Sequence, residues 1–149
     1  MNNALLFNYL HTNDQMKSEF SDLIVPLDAE SGRLVSGLLN TSHPILTGKA
    51  TFSSVSPEGD YGWHNAKEIL LVITLAGEIK VEVSSSDSIR EFGPGDIVLV
   101  HENPLGAGHR TRIVGKTPWK SIMIRLDQDT VSNLLRSADL GESGSSRRT

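Results

Sequence analysis

Short apolar runs, each a few residues long, recur along the chain and are separated by glycine, proline and small polar residues. This pattern predicts strands over Asp22 to Leu27, Arg33 to Leu39, Ala50 to Val55, Ile69 to Ala76, Glu78 to Val83, Asp96 to Val100, Thr111 to Val114 and Ser121 to Leu126. Within them, Ile79-Lys80-Val81-Glu82-Val83 alternates apolar and charged side chains, the period of a strand with one face buried. Two turns punctuate the pattern. Ala76-Gly77-Glu78 joins two strands tightly, because glycine tolerates positive φ. Phe92-Gly93-Pro94-Gly95-Asp96 combines a proline that presets φ with two flexible neighbours. Strands this short, with turn signals between them, predict an all-β fold, either a closed or a two-sheet barrel.

Helical periodicity is scarce. From Asp129 to Ala138, Val131, Leu134, Leu135 and Ala138 fall on one face, with Asp129 as the expected N-cap and Gly141 past the end. The expectation is a short C-terminal helix covering the barrel. A second helical candidate is Asn13 to Phe20. The stretch Gly141 to Thr149, rich in Gly, Ser and Arg, is expected to be a disordered tail. No internal repeat or second domain is apparent, so residues 1–140 are expected to form one domain.

Composition narrows the chemistry. The chain has 149 residues and no cysteine, which excludes disulfides, thiolate metal sites and cysteine nucleophiles. A net charge of −4 gives no electrostatic footprint for nucleic acid. No apolar run reaches the length of a membrane span. Ala4-Leu5-Leu6-Phe7 is short and has no basic flank, unlike a secretory leader. A cytoplasmic protein without membrane or nucleic-acid partners is therefore expected. Phosphate-binding loops, nucleophile elbows, zinc-protease and EF-hand motifs are absent from the sequence.

Two segments resemble the paired motifs of the cupin superfamily. The first runs from Gly59 through Trp63-His64 and Lys67-Glu68-Ile69-Leu70 to Gly77. The second runs from Gly95 through Pro104, Gly106 and His109, with Pro-x-Gly-x-x-His spacing kept and the interval before Pro104 lengthened. Trp63-His64 and Gly108-His109-Arg110-Thr111 are similar to motifs of small single-domain cupins. The resemblance implies a double-stranded β-helix, the jelly-roll barrel of that family, with a pocket near His64 and His109. It also implies a homodimer built through edge strands, for which the strand around Leu23 to Val25 is the candidate. The family's metal set is incomplete. Its second histidine falls on Ala66, its glutamate on Leu70 or Leu71, and its final asparagine on Ile113. Two imidazoles alone fall short of the ligands a catalytic metal needs.

The candidate catalytic residues are His64, His109 and Glu102. Neutral imidazole suits acid–base work near neutral pH. Glu102 follows an apolar strand and would orient His109 or take a proton, with burial expected to raise its pKa. Strand alternation allows only one of His101 and Glu102 to face the pocket. Tyr61, Trp63, Glu68, Leu70, Thr74, His101 and Thr111 are candidates for contacting substrate. By the same alternation, Arg110 and Arg112 point away from the side that carries His109. Three functional readings follow. The first is a cofactor-free enzyme performing isomerisation, cyclisation, dehydration or lyase chemistry on a small organic molecule, of the kind found in biosynthesis. The second is a metal-dependent dioxygenase in which Glu68, Glu102 or His101 supplements His64 and His109. The third is a non-catalytic small-ligand-binding module.

Overall fold

The computed structural model describes residues 3–140. In chain order the elements are β1 (Ala4–Thr12), β2 (Ser18–Pro26), β3 (Glu30–Arg33), β4 (Leu38–Thr41), β5 (Ala50–Val55), β6 (Asp60–His64) and β7 (Ile69–Ala76). They continue with β8 (Glu78–Val83), β9 (Ile89–Phe92), β10 (Ile97–His101), β11 (His109–Val114), β12 (Trp119–Leu126), α1 (Gln128–Ser137) and β13 (Asp139–Leu140). A seven-stranded sheet runs in the order β13-β2-β1-β10-β7-β12-β5, and a four-stranded sheet in the order β6-β11-β8-β9. β3 and β4 form a separate two-stranded sheet. The fold is therefore two facing sheets that do not close into a continuous barrel. Among the described residues only β1 and β10 pair in parallel.

Alternation along the central strands explains how one sheet serves two cores. In β10, Val98 and Val100 join Leu10, Phe20, Val72, Ile79 and Val81 between the two sheets. Leu99 of the same strand turns the other way, into a cluster with Phe7, Leu23, Leu71 and Leu126 that is capped by Val131 and Leu134 of α1. A strand buried on both faces reads as an unbroken apolar run, which is why Ile97 to Val100 lacks alternation. β8 is covered on one face only and shows the strict alternation expected of it. Leu23 and Leu99 are wholly buried. Each contributes roughly 1.5–3 kcal/mol through removal of its side chain from water.

The structure corrects several expectations. Asn13 to Phe20 is not helical. The Asn13 side-chain oxygen accepts the backbone N–H groups of Gln15 and Lys17, at 2.9 and 3.1 Å, and so closes a tight turn. β2 begins directly after it at Ser18. A short polar side chain bonding its own backbone competes with the helical ladder, and here it wins. Arg33 to Leu39 is not one strand but the turn of the β3–β4 hairpin, reversing at Gly37 with φ +91°. The N-cap of α1 is Asp127, whose carboxylate accepts the Thr130 N–H at 2.8 Å, whereas Asp129 lies in the first turn. The strand around Leu23 to Val25 is no free edge, because β1 flanks it on one side and β13 on the other. The expected tail, 141–149, lies outside the described residues. Among the described residues no helix is long and apolar enough to cross a membrane.

Candidate functional site

The site is assembled where the two cupin-like segments meet in one ladder. His64, the last residue of β6, is the register partner of His109, the first residue of β11. Directly opposed residues in an antiparallel pair place their side chains side by side, and the two imidazole centroids are 4.6 Å apart. Gly108 makes this approach possible. Its φ is +83°, and a Cβ there would overlap the His64 carbonyl. Along β11, His109, Thr111 and Ile113 are buried while Arg110, Arg112 and Val114 are turned outward. Arg110 forms an ion pair with Asp60 at 2.5 Å, and Arg112 with Glu82 at 2.7 Å.

Glu102 continues the inward parity of Val98 and Val100 past the end of β10. Its side chain is fully sealed from solvent. His109 Nδ1 donates to one carboxylate oxygen at 2.8 Å, and the Ser18 hydroxyl donates to the same oxygen. The backbone N–H of Ala66 donates to the other oxygen at 2.8 Å. The sequence-based expectation of a raised pKa is overturned. Burial alone pushes the Glu102 carboxyl up, but the donors from His109, Ser18 and Ala66 outweigh it and hold the group below its ordinary value. Glu102 is thus an ionised carboxylate that fixes the His109 ring, and not a proton donor.

The tautomers follow from the partners. His64 Nδ1 lies 3.0 Å from the carbonyl oxygen of Gly62, which can only accept, so that nitrogen carries the proton. His109 Nδ1 likewise donates, to Glu102. In the neutral rings both Nε2 atoms are left as lone-pair acceptors, and neither has a protein partner among the described residues. Both rings line a cavity of about 650 Å³ between the sheets. The cavity walls are mostly aliphatic: Leu10, Leu70, Val72, Ile79, Val81, Val98 and Val100. Trp119 closes one part of the cavity, its indole N–H donating to the Thr74 hydroxyl at 3.0 Å.

The structure distributes the sequence candidates unevenly. His64, His109, Tyr61, Glu68, Leu70 and Thr111 line the cavity, and Glu102 lies directly behind His109. Tyr61 stacks on His64 with centroids 5.6 Å apart, and burial pushes its hydroxyl pKa up. Glu68 sits at the rim in an ion pair with Arg125 at 2.8 Å. Three candidates lie elsewhere. Trp63 precedes His64 in β6, so alternation puts it on the outer face, where it is 50% exposed. His101 points from the opposite face of the large sheet, bonded to Tyr9 and Gln128. Thr74 is buried behind Trp119, outside the cavity lining. Ser18 and Asn65 were not legible as site residues. Ser18 reaches Glu102 across 84 positions of chain, and no local pattern announces such a contact. Asn65, beside His64, ties the wall to the β10–β11 loop by donating to the Gly106 carbonyl at 2.5 Å.

The family resemblance implies a divalent metal, and the donor set does not fit one. Among the described residues no three or more histidine or carboxylate side chains converge. Ala66 and Leu70 offer no donor atom. The Glu102 oxygens are taken up by Ser18, Ala66 and His109. Glu68 is held by Arg125, and His101 is on the far face. Two imidazole nitrogens remain, short of the three protein ligands of a catalytic centre.

No protein-family model and no curated protein matches the chain. Solved structures do. A cupin 2 conserved barrel domain protein from Salinispora arenicola CNS-205 is similar at 19% identity over 74% of this chain and 87% of that one, with a TM-score of 0.43. A cupin 2 conserved barrel domain protein from Rhodopseudomonas palustris is similar at 13% identity over 88% of this chain and 83% of that one, also with a TM-score of 0.43. The capsular polysaccharide assembling protein CapF from Staphylococcus aureus is similar at 15% identity, covering 85% of this chain and 31% of that one, with a TM-score of 0.38. Such likenesses concern fold and not activity. The chain itself folds as two facing sheets with a C-terminal helix, and the two histidines of the cupin-like segments are brought together in one ladder.

Proposed function

We propose that the protein is a small-molecule enzyme that moves protons within the cavity, with His109 as general base, Glu102 as the group that orients it, and His64 as a second proton acceptor. The observation that carries this reading is the sealed Glu102–His109 pair, whose free Nε2 opens on an apolar cavity. A carboxylate behind the ring holds one tautomer and stabilises the imidazolium formed when Nε2 accepts a proton. The Glu102 carboxylate and the His109 ring are buried together, which strengthens the electrostatic interaction between them. A proton taken from a substrate carbon by His109 can return to another atom of the same molecule, which is isomerisation. It can also leave with a departing hydroxyl as water, which is dehydration. Neither route needs a redox centre.

The test is deuterium incorporation from heavy water into a panel of apolar enolisable ketones and β-hydroxy ketones, followed by NMR, with chelator-treated protein whose metal content has been measured. Exchange is expected with the wild-type protein and should fall about 10²–10⁴-fold in His109→Gln. Exchange that vanishes with chelator and returns with one metal would replace this reading by the metal-dependent one. No exchange with any ketone, together with ligand-induced thermal stabilisation, would leave a binding module.

A further inference from the structure

The polar end of the cavity has a consistent hydrogen-bonding sense. His64 Nδ1 is committed to the Gly62 carbonyl and His109 Nδ1 to Glu102, so each neutral ring offers the cavity a lone pair on Nε2. Asn65, in the same wall, spends its NH₂ group on the Gly106 carbonyl. Its Oδ1 is buried without a hydrogen-bond partner and so is not one of the groups the cavity presents. A ligand that brings donors can satisfy both Nε2 lone pairs at once, whereas one that brings only acceptors leaves them unanswered. The rest of the lining is aliphatic apart from Trp119, Met123, two hydroxyls (Tyr61 and Thr111) that can act either way, and the exposed rim pair Lys67 and Glu68. A carboxylate at the histidines would set its lone pairs against theirs, with the Glu102 charge directly behind.

We infer that the cavity selects a neutral, largely apolar molecule bearing two adjacent O–H or N–H donors, such as a vicinal diol, and discriminates against a carboxylate on the same apolar body. This substrate class rests on the reading of the cavity as the active site, but its test requires no turnover. Three probes share one ring system: 2,3-dihydroxynaphthalene, 2,3-dimethoxynaphthalene and 2-naphthoate. Their dissociation constants are measured by titration calorimetry on the full chain in mildly alkaline buffer.

The diol is expected to bind about tenfold more tightly than its dimethyl ether, the size of effect one or two net hydrogen bonds supply, and more tightly than the naphthoate. His64→Leu should remove most of that preference and leave ether binding in place. The wild-type series decides the matter even where this variant fails to fold. Equal binding of diol and ether, tighter binding of naphthoate, or no binding of any probe would overturn the inference. Diol selectivity without proton exchange would support it and remove the catalytic reading. Exchange in a cavity that prefers the carboxylate would do the reverse.

Discussion

On the outer face of the seven-stranded sheet, His101 spends both ring nitrogens on the protein: Nδ1 on the Tyr9 hydroxyl at 2.9 Å and Nε2 on Gln128 of α1 at 3.1 Å. Between the sheets, His109 spends only Nδ1 and leaves Nε2 to the cavity. The two residues are close in sequence: His101 ends β10, and Glu102, the acidic partner of His109, follows it directly. On the outer side α1 packs over the sheet, and its Gln128 supplies a partner for the second ring nitrogen of His101. Burial at that site pushes the Tyr9 hydroxyl up to about 12. The inner side faces a cavity, so an imidazole there can keep one nitrogen uncommitted. A histidine becomes available for chemistry through which face it occupies and what its other nitrogen is tied to.

That contrast can be broken from either side. The largest expected effect is on turnover: His109→Gln should cost about 10²–10⁴-fold in proton exchange, whereas His101→Gln should leave the rate near wild type. Comparable losses in both would erase the distinction between the faces. Next comes Glu102→Leu, which strands the donors of His109, Ser18 and Ala66 in a sealed environment. A loss of about 3–5 kcal/mol in urea denaturation is expected. Leu99→Ala, in the outer core, should cost a similar roughly 2–5 kcal/mol while leaving probe binding in the cavity unchanged. A large affinity change there would show that the two cores are not independent.

Acid titration sharpens the picture further. The Glu102 pKa is lowered in the folded protein, so its contribution is complete above the ordinary carboxylate range and is lost as pH falls through the lowered value. Denaturation curves of Glu102→Gln should therefore show a shallower loss of stability on acidification than wild type. The smallest effect is expected for Trp63→Ser on the exposed face of β6, within about 0.5 kcal/mol and without change in exchange rate.

The chain shows where such a site can and cannot be read in advance. β5, β7 and β8 have the boundaries that the apolar pattern predicts, because each is flanked by clear turns. Gly77 between β7 and β8 is one of these: its φ is +78°, and a Cβ would overlap the Pro118 carbonyl. β1 escaped because Ala4 to Thr12 mixes apolar residues with Asn8 and His11 and has no punctuation before it. Its place beside β10 is set by a pairing of strands roughly ninety positions apart. The Asn13 turn reads as helical in the sequence because its decisive contacts run from side chain to backbone, which periodicity does not register.

Local order along the chain determined the all-β class, the C-terminal helix, the inward parity of His109 and Thr111, and the outward parity of Arg110 and Arg112. Those features depend on near-neighbour sterics and on the two-residue period of a strand, and both are written residue by residue. Tertiary structure alone decided that Glu102 rather than His101 stands behind His109, that Ser18 completes its bonding, and that the sheets stay open. The direction of the Glu102 pKa shift belongs to the same class. Burial and hydrogen bonding pull it in opposite ways, and their balance depends on donors from His109 close by and from Ser18 and Ala66 far along the chain.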